Sequence, residues 1–142
     1  MERFASLLGF EGRISRLQFW KDYLFLAIVG AVDTVIGLFA VMWLGAWGGI
    51  LPAPLIAVLI ASIAIAVRRL HDRNKSAFWL LPFLVLPLMV QFWMAGEAKA
   101  AATGMVLIVV LASLILNIWG TVEIGFRRGT PGPNRFGEAP AP

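Results

Sequence analysis

Residues 68–79 read RRLHDRNKSAFW, and five of the first eight carry charge. His71 beside Asp72, with Ser76 or the distant Ser15 as nucleophile, supplies the residue types of a serine relay. The spacing disfavours one. Adjacent positions on a helix point about 100° apart, which turns a carboxylate away from the imidazole before it. No nucleophile elbow, phosphate-cradling glycine loop or paired-carboxylate motif accompanies them. The chain has one histidine and no cysteine, so neither a His-rich nor a thiolate metal site can be built, and no metal or cofactor is expected. A membrane enzyme using His71 therefore ranks third among the functional readings.

Binding chemistry fits the residues better. Three segments gather arginines and aromatics: GRISRLQFW at 12–20, RRLHDRNKSAFW at 68–79 and RRGTPGPNRFG at 127–137. Guanidinium forks match phosphate oxygens, so Arg13, Arg16, Arg68, Arg69 and Arg135, with Trp20, His71 and Trp79, suit lipid headgroups. The plainer role is internal stapling, with Asp22, Asp72 and Glu123 as partners. Glu123 precedes Arg127 by four positions, the favourable helix order, and Asp72 follows Arg68 by four, where it is expected to hold that helix end.

The elements that position these residues are membrane helices. The 142-residue chain is 60% hydrophobic and only 14% charged, against about 25% charged in a soluble domain. Four apolar stretches, about 19–43, 50–67, 77–94 and 104–124, are each roughly 27–38 Å long as helix, enough for a hydrocarbon core of about 30 Å. Backbone amides in lipid must bond internally, and the alternation of barrel strands is absent, so helices are required. The first stretch is too long for a signal peptide and is read as retained. The expected fold is an all-α integral membrane protein, a single domain over 1–142. It is a four-helix bundle with a short interfacial helix at residues 3–10 and a tail at 125–142.

Orientation follows from charge. Eleven of the twelve Lys/Arg fall before span one, between spans two and three, or after span four; Lys99 alone falls opposite. Basic residues of short loops stay in the cytoplasm, so both termini and the 68–75 turn are expected there. Trp20 and Trp79 near one set of span ends, and Trp43, Trp47 and Trp93 near the other, agree with that register. Membrane helices already account for the basic residues, and nucleic acid is not an expected partner.

Asp33 lies about 12 positions beyond Lys21, near mid-depth, where an ionisable group marks function by default. A proton relay or ion ligand in a transporter or channel subunit is the second functional reading. The plainer alternative is an interhelical tie to Ser113, Asn117 and Thr121, which form one polar stripe on span four. Ala53, Ala57 and Ala61 form a small-residue stripe on span two that suits close packing. Pro82 and Pro87 should disturb span three, and Gly45-x-x-x-Gly49 offers a weak self-association motif.

The three polar segments together resemble the bacterial inner-membrane family called domain of unknown function 805. The matching residues are Gly12, Arg13, Ser15, Arg16 and Trp20; Arg68 to Asp72, Ser76 and Trp79; and Pro131, Gly132, Asn134, Arg135, Phe136 and Gly137. Arg73-Asn74-Lys75 departs from the small polar residue and glycine common in members, although Asn74 also suits a turn. The resemblance implies a multi-pass inner-membrane placement and a fold, not an activity. The leading expectation is a small non-enzymatic interaction or lipid-contact protein. Its expected partners are membrane lipids, anionic ones among them, and a membrane protein or a second copy.

Overall fold

The computed structural model describes residues 7–45, 53–87, 89 and 103–140. The regular elements among the described residues are all helical, with no strand and one isolated β-bridge between Asn134 and Gly137. Helix α1 spans Arg16–Leu44. It begins where the Ser15 hydroxyl accepts the amide of Gln18 at 3.3 Å, satisfying one of the free N–H groups of a helix start. It ends at Gly45, whose φ of 59° is strained for any residue with a Cβ. Helix α2 spans Ala53–Asp72 and α3 spans Thr103–Thr121.

These three helices, with α3 counted through Phe126, are long and apolar enough to cross a membrane. Leu24, Ile28, Val35, Phe39, Ile56, Ile108 and Ile115 all point outward. So much outward apolar surface is incompatible with water and natural in lipid. Helix α2 runs five residues past the expected boundary at Val67, so Arg68–Asp72 belong to the helix and the turn is shorter than expected.

The third expected span, 77–94, is described through Pro87 and at Met89. It opens with a 3₁₀ turn, Ala77–Trp79, and continues as a π-helical stretch, Leu81–Val85. The Leu86 amide bonds to the Leu81 carbonyl five residues back. Pro82 and Pro87 lack the amides a regular α ladder would use, so the helix takes the wider turn here. Residues 88 and 90–94 lie outside the described residues, as do residues 3–6 of the expected interfacial helix, Trp47, Gly49, Trp93 and Lys99. Within that expected interfacial helix, Leu7 and Leu8 are helical.

Packing is concentrated at one end. Ile14, Phe19, Ile65, Leu70, Leu80 and Ile124 are buried together there, with Leu26 and Ala61 continuing the α1–α2 contact toward the apolar end. Gly120 has no room for a Cβ, because the Phe83 side chain lies 2.9 Å from where one would stand. This brings α3 against the π-helical stretch. The expected alanine face of α2 is corrected at one position: Ala61 is buried as expected, but Ala57 is exposed, and Ala64 is buried beside Ala61. The start of α1, the end of α2 and the end of α3 all meet the tail, so α2 and α3 both run opposite to α1.

Candidate functional site

The polar end is built around two helix termini. A helix leaves its last four carbonyls without amide partners and carries partial negative charge there. After Thr121 the last helix widens into a π-helical stretch, Val122–Phe126, closed by the Arg127 amide on the Val122 carbonyl at 3.2 Å. The next five carbonyls then face other segments. Glu123 O accepts from Arg73 at 2.6 Å, Ile124 O from Arg69 Nε at 3.0 Å and Gly125 O from the Trp20 indole at 3.2 Å. Phe126 O accepts from Arg16 at 3.4 Å, and Arg127 O from the second nitrogen of the Arg69 fork. Four side chains from α1, α2 and the following turn thus cap one helix end, three of them cationic, as the dipole favours.

The end of α2 is capped by the tail. Asp72 O accepts both the amide and the hydroxyl of Thr130, at 2.8 and 2.9 Å. His71 O accepts the side-chain amide of Asn134 at 2.9 Å, and the side-chain Oδ1 of Asn134 takes the Phe136 amide at 2.9 Å. Phe136 lies flat on the His71 ring, centroids 3.8 Å apart. Gly132 and Gly137 adopt φ of 71° and 127°, which lets the tail fold back within a few residues. Arg13 locks this fold. One of its nitrogens donates to Gly132 O and Gly137 O at 2.7 and 3.2 Å, the other to Thr130 O at 2.8 Å and to Asp72 at 2.9 Å.

Two buried carboxylates anchor the cations. Asp72 pairs with Arg13 and with Arg69, which has no exposed surface. Glu123 pairs with Arg73, Lys75 and, at 3.1 Å, Arg127. Such pairs roughly break even against desolvation, but stranding one member costs about 3–5 kcal/mol. Buried Asp22 accepts from Gln18 at 2.7 Å.

The structure revises several sequence expectations. Asp72 holds Arg69 and Arg13; Arg68 instead sits in the field of Asp22, with its Nε buried and unbonded. Among the described residues His71 bonds neither Asp72 nor a serine; its Nδ1 lies 3.2 Å from Gly12 O. Ser15 caps α1. Trp20 and Arg16 join the helix cap, Trp79 stacks under the Lys75 ammonium at 3.7 Å, and Arg135 bonds Asn74 O at 3.1 Å. Glu123 does pair with Arg127, as its spacing indicates. Thr130 and the carbonyls of 123–127 carry no sequence signal that singles them out.

The intramembrane polar residues are not drawn together. Asn117 donates to Ser113 O and Thr121 to Asn117 O, both at 2.8 Å within their own helix. Neither meets Asp33, whose Oδ2 is buried without a hydrogen-bond partner among the described residues. Asn117 and Thr121 border an apolar cavity of about 290 Å³ that Trp20, Tyr23, Ile63 and Phe83 also line. A second, polar cleft of about 410 Å³ opens at the capped end, lined by Arg13, Ser15, Arg16, Arg69, Asp72 and Arg128 among others. Among the described residues no cluster of three metal-ligating side chains occurs.

Long lipid-facing helices closed at one end by an interlocked polar cap define a helical membrane protein. The chain belongs to the DUF805 family: the model described as "Protein of unknown function (DUF805)" matches residues 7–138. It is 37% identical over 104 residues to the inner membrane protein YhaI of Escherichia coli strain K12, covering 70% of this chain and 86% of the relative. It is 31% identical over 141 residues to the inner membrane protein YhaH of the same organism, covering 95% and 89%. No solved structure matches the chain.

Proposed function

We propose that this is a non-enzymatic, multi-pass inner-membrane protein whose polar cap faces the cytoplasm and contacts anionic lipid headgroups. The observation that carries this reading is an imbalance of exposed charge. Asp22, Asp72 and Glu123 are buried, which leaves Glu11 and Glu138 as the exposed acids among the described residues. Arg16, Lys21, Arg127, Arg128 and Arg135 are exposed at the same end. Phe78, Trp79 and Phe126 are exposed beside them, where aromatic rings favour the headgroup level. Cations at such a surface attract anionic lipid by about 1 kcal/mol each.

Native mass spectrometry tests the reading on surface positions. Arg16, Lys21 and Arg128 are replaced together by Gln and cardiolipin retention is compared with that of the unaltered protein; equal retention refutes lipid contact. Arg68/Arg69→Ala is a poorer test, because Arg69 is buried in the cap and its loss disturbs folding.

One observation favours a second reading, a transporter or channel subunit: the buried Oδ2 of Asp33, without a hydrogen-bond partner among the described residues, inside a membrane helix. Undiminished flux by Asp33→Asn in reconstituted vesicles would remove it.

A further inference from the structure

The polar cleft separates its arginines into two kinds. Arg13 and Arg69 form its inner wall, and their donors are taken up by Asp72 and by the carbonyls of Ile124, Arg127, Thr130, Gly132 and Gly137. They contribute charge from nitrogens that are each already bonded within the protein. Arg16 and Arg128 line the same cleft and are exposed. Arg16 spends one long bond on Phe126 O, and Arg128 has no partner among the described residues. Four guanidiniums therefore surround the cleft against the single carboxylate of Asp72, and two of their forks are open.

We propose that this cleft binds one phosphomonoester group, held between Arg16 and Arg128. A monoester presents three terminal oxygens and a charge of about −1.5 to −2 at neutral pH, which suits two bidentate forks and the fixed positive field behind them. A phosphodiester, with two free oxygens and one charge, fills half of that capacity. The site deepens the lipid-contact reading and rests on it, since the cleft opens beside the start of α1 and the end of the last helix. Its phosphate comes either from a phosphatidate-type lipid or from a soluble ester.

The test uses the full chain in nanodiscs of phosphatidylcholine doped with equal fractions of phosphatidate or phosphatidylglycerol, with bound lipid read by native mass spectrometry. Phosphatidate is expected to be retained about tenfold better than phosphatidylglycerol, the equivalent of one charge-assisted contact. Arg128→Gln, which breaks no bond among the described residues, should abolish that preference, and Arg16→Gln should do the same; Lys21→Gln, outside the cleft, should keep it. Displacement of phosphatidate by millimolar glycerol 3-phosphate supports the site with a soluble ester as sufficient ligand. A preference that persists without displacement supports it with the lipid as source. Equal retention of both anionic lipids, above phosphatidylcholine, overturns the site and leaves lipid contact standing. No enrichment of either over phosphatidylcholine overturns both.

Discussion

The side-chain amide of Asn134 caps the carbonyl of His71 at 2.9 Å, joining positions 63 residues apart. A tail residue thereby finishes a membrane helix. Asn134→Ala removes this donor, its second bond to the Thr130 hydroxyl and the acceptor of the Phe136 amide, three bonds worth about 1 kcal/mol each. The expected result is a lower melting temperature in detergent and faster proteolysis between residues 127 and 137. Unchanged cleavage would show that the tail is held without its cap.

Asp72→Asn leaves Arg13 and Arg69 buried without a countercharge. The expected loss is about 3–5 kcal/mol, large beside the stability of most domains, so reduced membrane accumulation should accompany it. Circular dichroism melts of the purified variant measure the effect.

Gly125 stands against the Trp20 indole, and a Cβ there would come within 2.5 Å of the ring. Gly125→Ala should cost about 1–3 kcal/mol through overpacking. Pairing it with Trp20→Phe should recover part of that, because the smaller ring makes room. Additive losses in the double-mutant cycle would contradict this packing.

Glu123→Gln should destabilise far more than Arg127→Gln. Glu123 is buried with three cations, whereas the Arg127 side chain is 60% exposed, and exposed pairs contribute about 0–1 kcal/mol. Thermal melts of the two variants in low and high salt separate the cases: the Arg127 effect should vanish in salt.

A topology reporter checks orientation. Alkaline phosphatase fused after Pro142 should be inactive and green fluorescent protein at the same point fluorescent, as a cytoplasmic tail requires. The opposite pattern would place the polar cap in the wrong compartment.

The polar end is legible in the sequence because charge placement is dictated by the bilayer. Arg13, Arg16, Arg69, His71, Asp72, Asn134 and Arg135, grouped by sequence, do converge. Their pairing is less legible. The i,i+4 rule assigns Asp72 to Arg68, yet Arg69 is the residue that turns inward between helix ends, and long-range closure outweighs a local pair. Asn134 reads as a turn residue because nothing local signals a bond to a carbonyl in another helix. The stripe of Ser113, Asn117 and Thr121 suggests an interhelical tie, but the carbonyl one turn back satisfies Asn117 and Thr121 first. The π-helical stretch at Leu81–Val85 follows from prolines visible in the sequence, while the one at Val122–Phe126 has no proline to announce it.

Because Thr130 and Asn134 close the end of α2 from far downstream, the ribosome delivers the lid after the vessel. A nascent chain that has inserted both early helices holds the His71 carbonyl with the Asn74 amide alone and leaves the Asp72 carbonyl to solvent until Thr130 and Asn134 clear the exit tunnel. Quality-control proteases of the membrane should therefore distinguish a stalled chain from a finished one at this single helix end.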